Sequence, residues 1–554
     1  MKYETVLSIC MQKNINTHLI FYFILMGCSI YGQTLAFPGA EGFGKYAKGG
    51  RGGDVYHVTN LDDDGIGSFR YGVENMNGPR TIVFDVSGTI MLDSDSSIKV
   101  KDDYLTIAGQ TAPGEGITIG GASFIVQSSH VIVRYVRFRL GDLGVDDDDT
   151  VSIVRGSNII FDHVTASWSI DETFSCQSDE VNLLTVQWCM ITESLNYSHH
   201  EKGNHGYGGI IGSLQQTFHH NLYAHHASRS PKVTWRQHTK VDFRNNVIYN
   251  WNYNNCYDGS TSYINWVNNY YKYGPATNTS VKNRIFQLSD EDAPQSSSFE
   301  TSLYADGNYV DGYPIVTANN WSGGIDLIDG ASESKNRIFT PHDFISISNE
   351  TAESAYTEVV EKAGASIVRD VVDARIANEV LSRTATYSGV ESNLAGIIDS
   401  QSDVGGWPAL IEETRPAQYD TDLDGMPDTW ETQNGLNPNN PNDRNEDAND
   451  DGYTNLEDYL NGIINVLSVK EKTDINQDAL NFYPNPADDF IYIDLRKLIK
   501  PHLKLYNFLG QKVYDQEANQ GINKISLETL KDGIYLLQVE SSDGNKSTLK
   551  LIKQ

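Results

Sequence analysis

The 554-residue chain exceeds what a single hydrophobic core usually organises, so several domains are expected, one of them a repeat. At 39% hydrophobic and 21% charged it is globular rather than disordered, and its 47 Gly and 31 Tyr favour a β-rich, turn-rich body. The net charge of −31 excludes a nucleic-acid binder, which needs Lys and Arg patches for phosphate, and any polyanionic ligand would require local cations to reverse the field.

Lys13, the apolar run from Leu19 to Met26 and the small residues ending at Gly32 read as an export signal over residues 1–32, with a second start available at Met11. Cleavage after Gly32 removes Cys10 and Cys28, and the run is too short for a membrane span, so no transmembrane segment is expected in the mature chain. Leu25-Met26-Gly27-Cys28 also resembles a lipoprotein cleavage site, which leaves lipidation of Cys28 open. Cys176, Cys189 and Cys256 remain, an odd number without metal-type spacing, so no disulfide framework is implied.

Residues 33–414 form the expected main domain. Short β-rich runs such as Val131–Val136, Asn158–Val164, Leu184–Trp188, Thr217–Asn221, Val241–Asn246 and Asn265–Asn269 recur at roughly 23 to 32 residues, the range of solenoid repeats. One apolar strand per repeat cannot be buried alone, so stacking of the coils builds the core of a parallel β-helix. Asn245-Asn246 and Asn268-Asn269 fall at matching places, where their amides either stack along the axis or serve turn chemistry. From Ala352 to Arg383, Val359, Val360, Ala363, Ile367, Val371, Val372, Ile376 and Val380 take helical spacing, a C-terminal appendage expected to close the solenoid.

Within the repeats, Asp146-Asp147-Asp148-Asp149 precedes Phe161-Asp162-His163 by one coil, and Asp171-Glu172 follows in the next. Coils stack about 4.8 Å apart, so carboxylates from neighbours can converge on one ion; a solvated turn is the competing reading. Ser228-Arg229-Ser230-Pro231-Lys232 should lie two or three coils further on, where a guanidinium beside a cation suits a uronate carboxylate. A surface arginine is the plainer reading of that motif alone.

Residues 415–466 read as calcium-binding repeats. Asp420, Asp422, Asp424, Asp428 and Glu431 occupy loop positions 1, 3, 5, 9 and 12 around Gly425, and Asp447, Asn449, Asp451, Asn455 and Asp458 repeat the pattern around Gly452. An acidic disordered linker is the alternative. After a linker over 467–480, alternating strands at 481–554 form a small β-sandwich.

The ordered motifs from about residue 36 to 300 resemble the pectate lyase family, polysaccharide lyase family 1. Phe37-Pro38-Gly39-Ala40-Glu41-Gly42-Phe43-Gly44, Gly49-Gly50-Arg51-Gly52-Gly53, Val58-Thr59-Asn60-Leu61 and Gly65-Ile66-Gly67-Ser68-Phe69-Arg70 are similar to its leading segment, Phe161-Asp162-His163 to its aspartate-histidine strand, and Arg229-Ser230-Pro231 to its arginine-x-proline motif. The resemblance implies a right-handed β-helix and a calcium-dependent β-elimination on pectate, with Arg229 as catalytic base and Ca²⁺ held by Asp147, Asp149, Asp171 and Glu172. Lys202, His205, Lys232 and Arg236 are the candidate substrate-binding residues. Two departures stand out: Cys176 occupies the place of a further calcium aspartate and Thr234 that of a second substrate-binding arginine.

The tail, with Tyr483-Pro484-Asn485-Pro486, Gly510-Gln511-Lys512-Val513-Tyr514 and Gly533-Ile534-Tyr535-Leu536, resembles the C-terminal sorting domain of type IX secretion. That implies export to the medium or surface of a Gram-negative bacterium through that machinery, with a carbohydrate-binding sandwich as the alternative. A monomer acting on an acidic polysaccharide is expected; a β-helix hydrolase with paired carboxylates such as Asp162 and Asp171, or a non-catalytic adhesin, are the competing functions.

Overall fold

The computed structural model describes residues 33–554 except 95, 145–146, 235–238, 291–300, 468–481, 484–486, 488, 496–500, 508–511, 532, 541–545 and 554. The expected export signal and most of the expected linker lie outside the described residues, as does Arg236. No helix among the described residues is long and apolar enough to cross a membrane. The chain divides into two compact units, Met1–Ile464 and Asn465–Gln554.

The larger unit is a parallel β-solenoid. Among the described residues its first sheet has ten strands, from Asp54–Val58 to Ser302–Asp306, and its second has nine, from Gly88–Met91 to Tyr309–Val310. The third face runs from Ile98–Val100 through Phe174–Ser175, then by a bridge between Cys176 and Ile211 into Ile210–Ile211 and on to Ile325–Leu327. In the first sheet Ile132, Ile160, Thr185, Thr217, Asp242 and Asn265 pair in succession, so the sequence repeat is the coil. The step from Thr185 to Thr217 is the longest of these, and its surplus residues form an excursion around His200.

Strand alternation explains the core. Val131, Val133, Ile159, Phe161, Leu184, Val186, Phe218, Val241, Phe243, Ile264 and Trp266 point inward and are fully buried. Each such side chain contributes about 1.5–3 kcal/mol relative to exposure. The outward residues are covered as well: Ile132 and Ile160 pack under Phe37, Ala36, Ala40 and Ala47, while Thr185 and Thr217 accept hydrogen bonds from Gly44 N (2.8 Å) and Phe43 N (3.2 Å). A Cβ on Gly44 would stand 2.2 Å from the Ile159 carbonyl oxygen, so only glycine allows this approach.

Both readings of the paired asparagines hold, one for each member. Asn245 and Asn268 take left-handed turns (φ 55° and 54°), whereas Asn246 and Asn269 enter a fully buried ladder. Asn221 Nδ2 donates to Asn246 Oδ1 (3.0 Å), Asn246 Nδ2 to Asn269 Oδ1 (3.1 Å) and Asn269 Nδ2 to Asn308 Oδ1 (2.9 Å). Outside it, Tyr135, His163, Trp188 and His220 stack in sequence on successive turns.

The helical appendage is two helices, Ala352–Lys362 and Val371–Ser382, and it does not cap an end of the solenoid. Val359, Val360, Ala363, Val372, Ile376 and Val380 pack sideways on Trp168, Met190, Leu222, Val247 and Tyr249, which the second sheet turns outward over several coils. Residues 415–464 return to the early coils: Arg51 Nε donates to Glu457 (2.8 Å), Arg134 Nη1 to Asn461 (3.0 Å), and Met426, Leu456, Tyr459 and Leu460 pack around Ala108.

Among the described residues, the strand ladders of the smaller unit are antiparallel and form two sheets, one containing Phe490–Asp494 and Ile522–Ser526, the other His502–Asn507 and Gly533–Glu540. Ile491, Ile493, Leu503, Leu505, Ile525, Leu537 and Val539 fill the core between them.

Candidate active site

The acidic and basic motifs meet because they occupy the same turn of successive coils, each just ahead of a third-face strand. Asp149 precedes Val151–Ile153, Asp171 and Glu172 precede Phe174–Ser175, and Arg229 precedes Lys232–Val233. Parallel bridges join Glu172 to Tyr207 and Tyr207 to Ser228, so Arg229 is two coils from Glu172. At about 4.8 Å per coil a guanidinium spans that gap. Arg229 Nη1 contacts Glu172 Oε1, the guanidinium lies over the Tyr207 ring at 4.2 Å, and Nε donates to Tyr257 Oη at 3.3 Å.

Carboxylate oxygens of Asp149, Asp171 and Glu172 lie within 4.8 Å of one another. They border a cleft of about 320 Å³ with Asp147, Ser123 and Ser175. Asp149 accepts hydrogen bonds from Glu172 N (3.0 Å) and Ser152 Oγ (3.0 Å), yet burial and the neighbouring Asp171 push it up to about 7. Asp171, against the upward push of burial, is held below the usual carboxylate range by His205 and His200. Three converging carboxylates form an all-oxygen donor set whose mutual repulsion a hard divalent cation relieves, so the residues present fit calcium.

The structure distributes the other sequence candidates unevenly. Asp147 turns to the excursion, accepting from Glu201 N (3.1 Å) with His200 Nδ1 at 3.6 Å, and is not one of the three converging carboxylates. His205 approaches Asp171 Oδ1 at 2.6 Å and stacks on His200 with ring centroids 3.9 Å apart. Lys202 is exposed on the excursion, and Lys232 lies 3.5 Å from Asp258. Cys176 faces the core, with its thiol 3.2 Å from Gln216 Oε1, and burial pushes it up to about 12, so it does not stand in for a calcium ligand. Thr234 is likewise buried. His200 and Tyr257 were not legible as site residues; the long coil between Thr185 and Thr217 was the available signal for the first.

Both acidic loops of the 415–464 segment adopt tight turns. Asp420 accepts from Gly425 N (2.8 Å) and Asp424 from Met426 N (2.9 Å) in the first; Asp447 accepts from Gly452 N (2.9 Å) and Asp451 from Tyr453 N (3.0 Å) in the second. Oxygens of Asp420, Asp422 and Asp424 converge, as do those of Asp424, Glu431 and Asp443. Asn449 Nδ2 donates to Asp458 (2.9 Å), and Asn455 is buried against the backbone.

The model of the secretion system C-terminal sorting domain matches residues 481–554. A probable pectate lyase C of Emericella nidulans is 36% identical over 451 residues, 79% of this chain and 94% of the relative. One of Aspergillus fumigatus is 36% identical over 461 residues, 80% of this chain and 97% of the relative. A solved Bacillus subtilis pectate lyase mutant aligns at 17% identity over 61% of this chain and 100% of its own, with a TM-score of 0.41. On the extent and identity of the sequence matches, the chain belongs to the pectate lyase family.

Proposed function

We propose that the protein is a secreted, calcium-dependent pectate lyase that cleaves polygalacturonate by β-elimination and releases unsaturated oligogalacturonates. The observation that carries the reading is the contact of Arg229 with Glu172, whose carboxylate converges with those of Asp149 and Asp171 at one cleft. Those three residues would hold the ion, with Asp147 at the margin. Bound there, calcium supplies positive charge to the uronate carboxylate and acidifies the adjacent C5 hydrogen.

Arg229 is the base in this reading. Tyr207 and Tyr257 fix its guanidinium, so its approach to C5 is set before substrate arrives. The C5 proton passes to Arg229, the C5–H electron pair forms the C4–C5 double bond, and the glycosidic oxygen departs from C4 with the bonding pair and takes a proton from solvent water. A general base acts in its deprotonated form, so turnover should rise with pH. Lys232 and His205 flank the same turn and suit neighbouring uronate carboxylates, with Lys202 on the excursion above. The match over 481–554 supports export, by our reading through a type IX machinery of a Gram-negative bacterium; the exported protein acts as a monomer in this reading.

Product analysis on de-esterified pectin, with and without chelator, tests the proposal. New ultraviolet-absorbing unsaturated ends that vanish with chelator and return with Ca²⁺ are expected. Saturated reducing ends would identify a hydrolase, and substrate retention without cleavage an adhesin.

A further inference from the structure

We infer that Asp443, outside the first twelve-residue loop, completes that loop's calcium site and that the ion held there fastens the 415–464 segment to the early coils of the solenoid. Asp424 and Glu431 are 0% exposed and Asp443 4%, and one oxygen of each lies within 4.8 Å of the others. Asp424 Oδ2, both oxygens of Glu431, Asp443 Oδ1 and both oxygens of Asp422 are buried with no hydrogen-bond partner. Carboxylates removed from water without donors demand a counter-charge, and an all-oxygen set of this kind is suited to Ca²⁺.

The loop's own ninth residue does not complete the set. Asp428 accepts from Thr421 N (2.7 Å) through Oδ1 and from Thr421 Oγ1 (2.6 Å) through Oδ2, so its carboxylate braces the loop backbone. Asp443 supplies the missing oxygen from the following turn. Asn437 N donates to its Oδ2 (3.1 Å), and Asn455 Nδ2 donates to its backbone carbonyl (2.7 Å).

Both halves of the site are anchored on the solenoid. Asp420 lies 3.6 Å from His57 Nε2 in the strand Asp54–Val58, and Met426 packs against Ala108. On the other side Arg444, next to Asp443, donates from Nη2 to the Gly53 carbonyl (3.1 Å). An ion bridging loop and turn therefore ties together two segments that each grip the same coils. This fastening is independent of the lyase chemistry.

Calcium binding to the full chain, followed by hydrogen exchange and by equilibrium dialysis with Ca²⁺ alone, tests it. In the wild-type protein calcium should slow amide exchange in peptides spanning 436–446 together with those spanning 420–431. Asp443→Asn should lose one tightly bound ion or weaken it at least about tenfold, whereas Asp428→Asn should stay within about twofold. Protection confined to 420–431, or an Asp443→Asn protein with unchanged stoichiometry and affinity, would overturn the inference. Exchange in the wild-type protein distinguishes these outcomes even if the variant fails to fold.

Discussion

The Arg229 guanidinium meets the Glu172 carboxylate across two coils of the third face, with Tyr207 on the coil between them. Neighbours in space but 57 positions apart in sequence, they are brought together by the regular stacking of the solenoid. Any change to the coils between Glu172 and Arg229 therefore alters the separation of the two side chains.

The acidic cluster should set the calcium requirement. Asp149→Asn keeps an acceptor for Glu172 N but removes one of three converging charges. The calcium concentration giving half-maximal lyase rate should rise about tenfold or more, with thermal unfolding of the calcium-free protein unchanged or slightly raised, because burial and Asp171 disfavour that charge. Rate against free calcium and a melting curve check both parts.

The asparagine ladder should carry a measurable share of stability. Asn246→Ala deletes the acceptor for two donors of Asn221 and the Nδ2 donor to Phe218 O, while Asn269 Oδ1 keeps only the bond from the residue-246 backbone N–H. Unsatisfied buried groups cost about 1–3 kcal/mol each, so a loss of roughly 2–4 kcal/mol is expected in denaturant unfolding, with activity per folded molecule retained.

Glu379 gives the acid limit of the lateral helices. It is 2% exposed, and although burial alone would raise it, the His225 hydrogen bond and charge together with Arg375 bring it down to about 2. A depressed carboxyl contributes stability that is complete above its unfolded pKa of about 4.3 and is lost as pH falls through the folded value. The stability gap between wild type and Glu379→Gln should then be greatest above about pH 5, on the order of 2–3 kcal/mol, and shrink steadily toward pH 2. Denaturant midpoints across that range measure it.

What the sequence made legible was whatever repeats or lies close in the chain. The strand runs around Val131, Ile159, Leu184 and Phe218 carry one inward-facing pattern, and loop spacing alone placed Asp420, Asp422 and Asp424 around one turn. Asp171, Glu172 and Arg229 could be grouped because coil spacing converts sequence distance into axial distance. Contacts that leave the repeat were not accessible: the side-on seat of Val359 and Ile376, the stacking of His200 on His205, and the approach of Asp443 to Glu431 each depend on a turn whose path no periodicity encodes. Cys176, the departure that motif order placed where the family has a calcium aspartate, is turned into the core by strand alternation.

Arg229→Lys tests the central claim most directly, because it keeps a positive charge beside Glu172 while removing the guanidinium poised by Tyr207 and Tyr257. The rate of unsaturated-uronate formation at saturating calcium and substrate should fall about 10²- to 10⁴-fold, with calcium stoichiometry and melting temperature preserved. Wild-type turnover in the same variant would contradict the assignment of Arg229 as base.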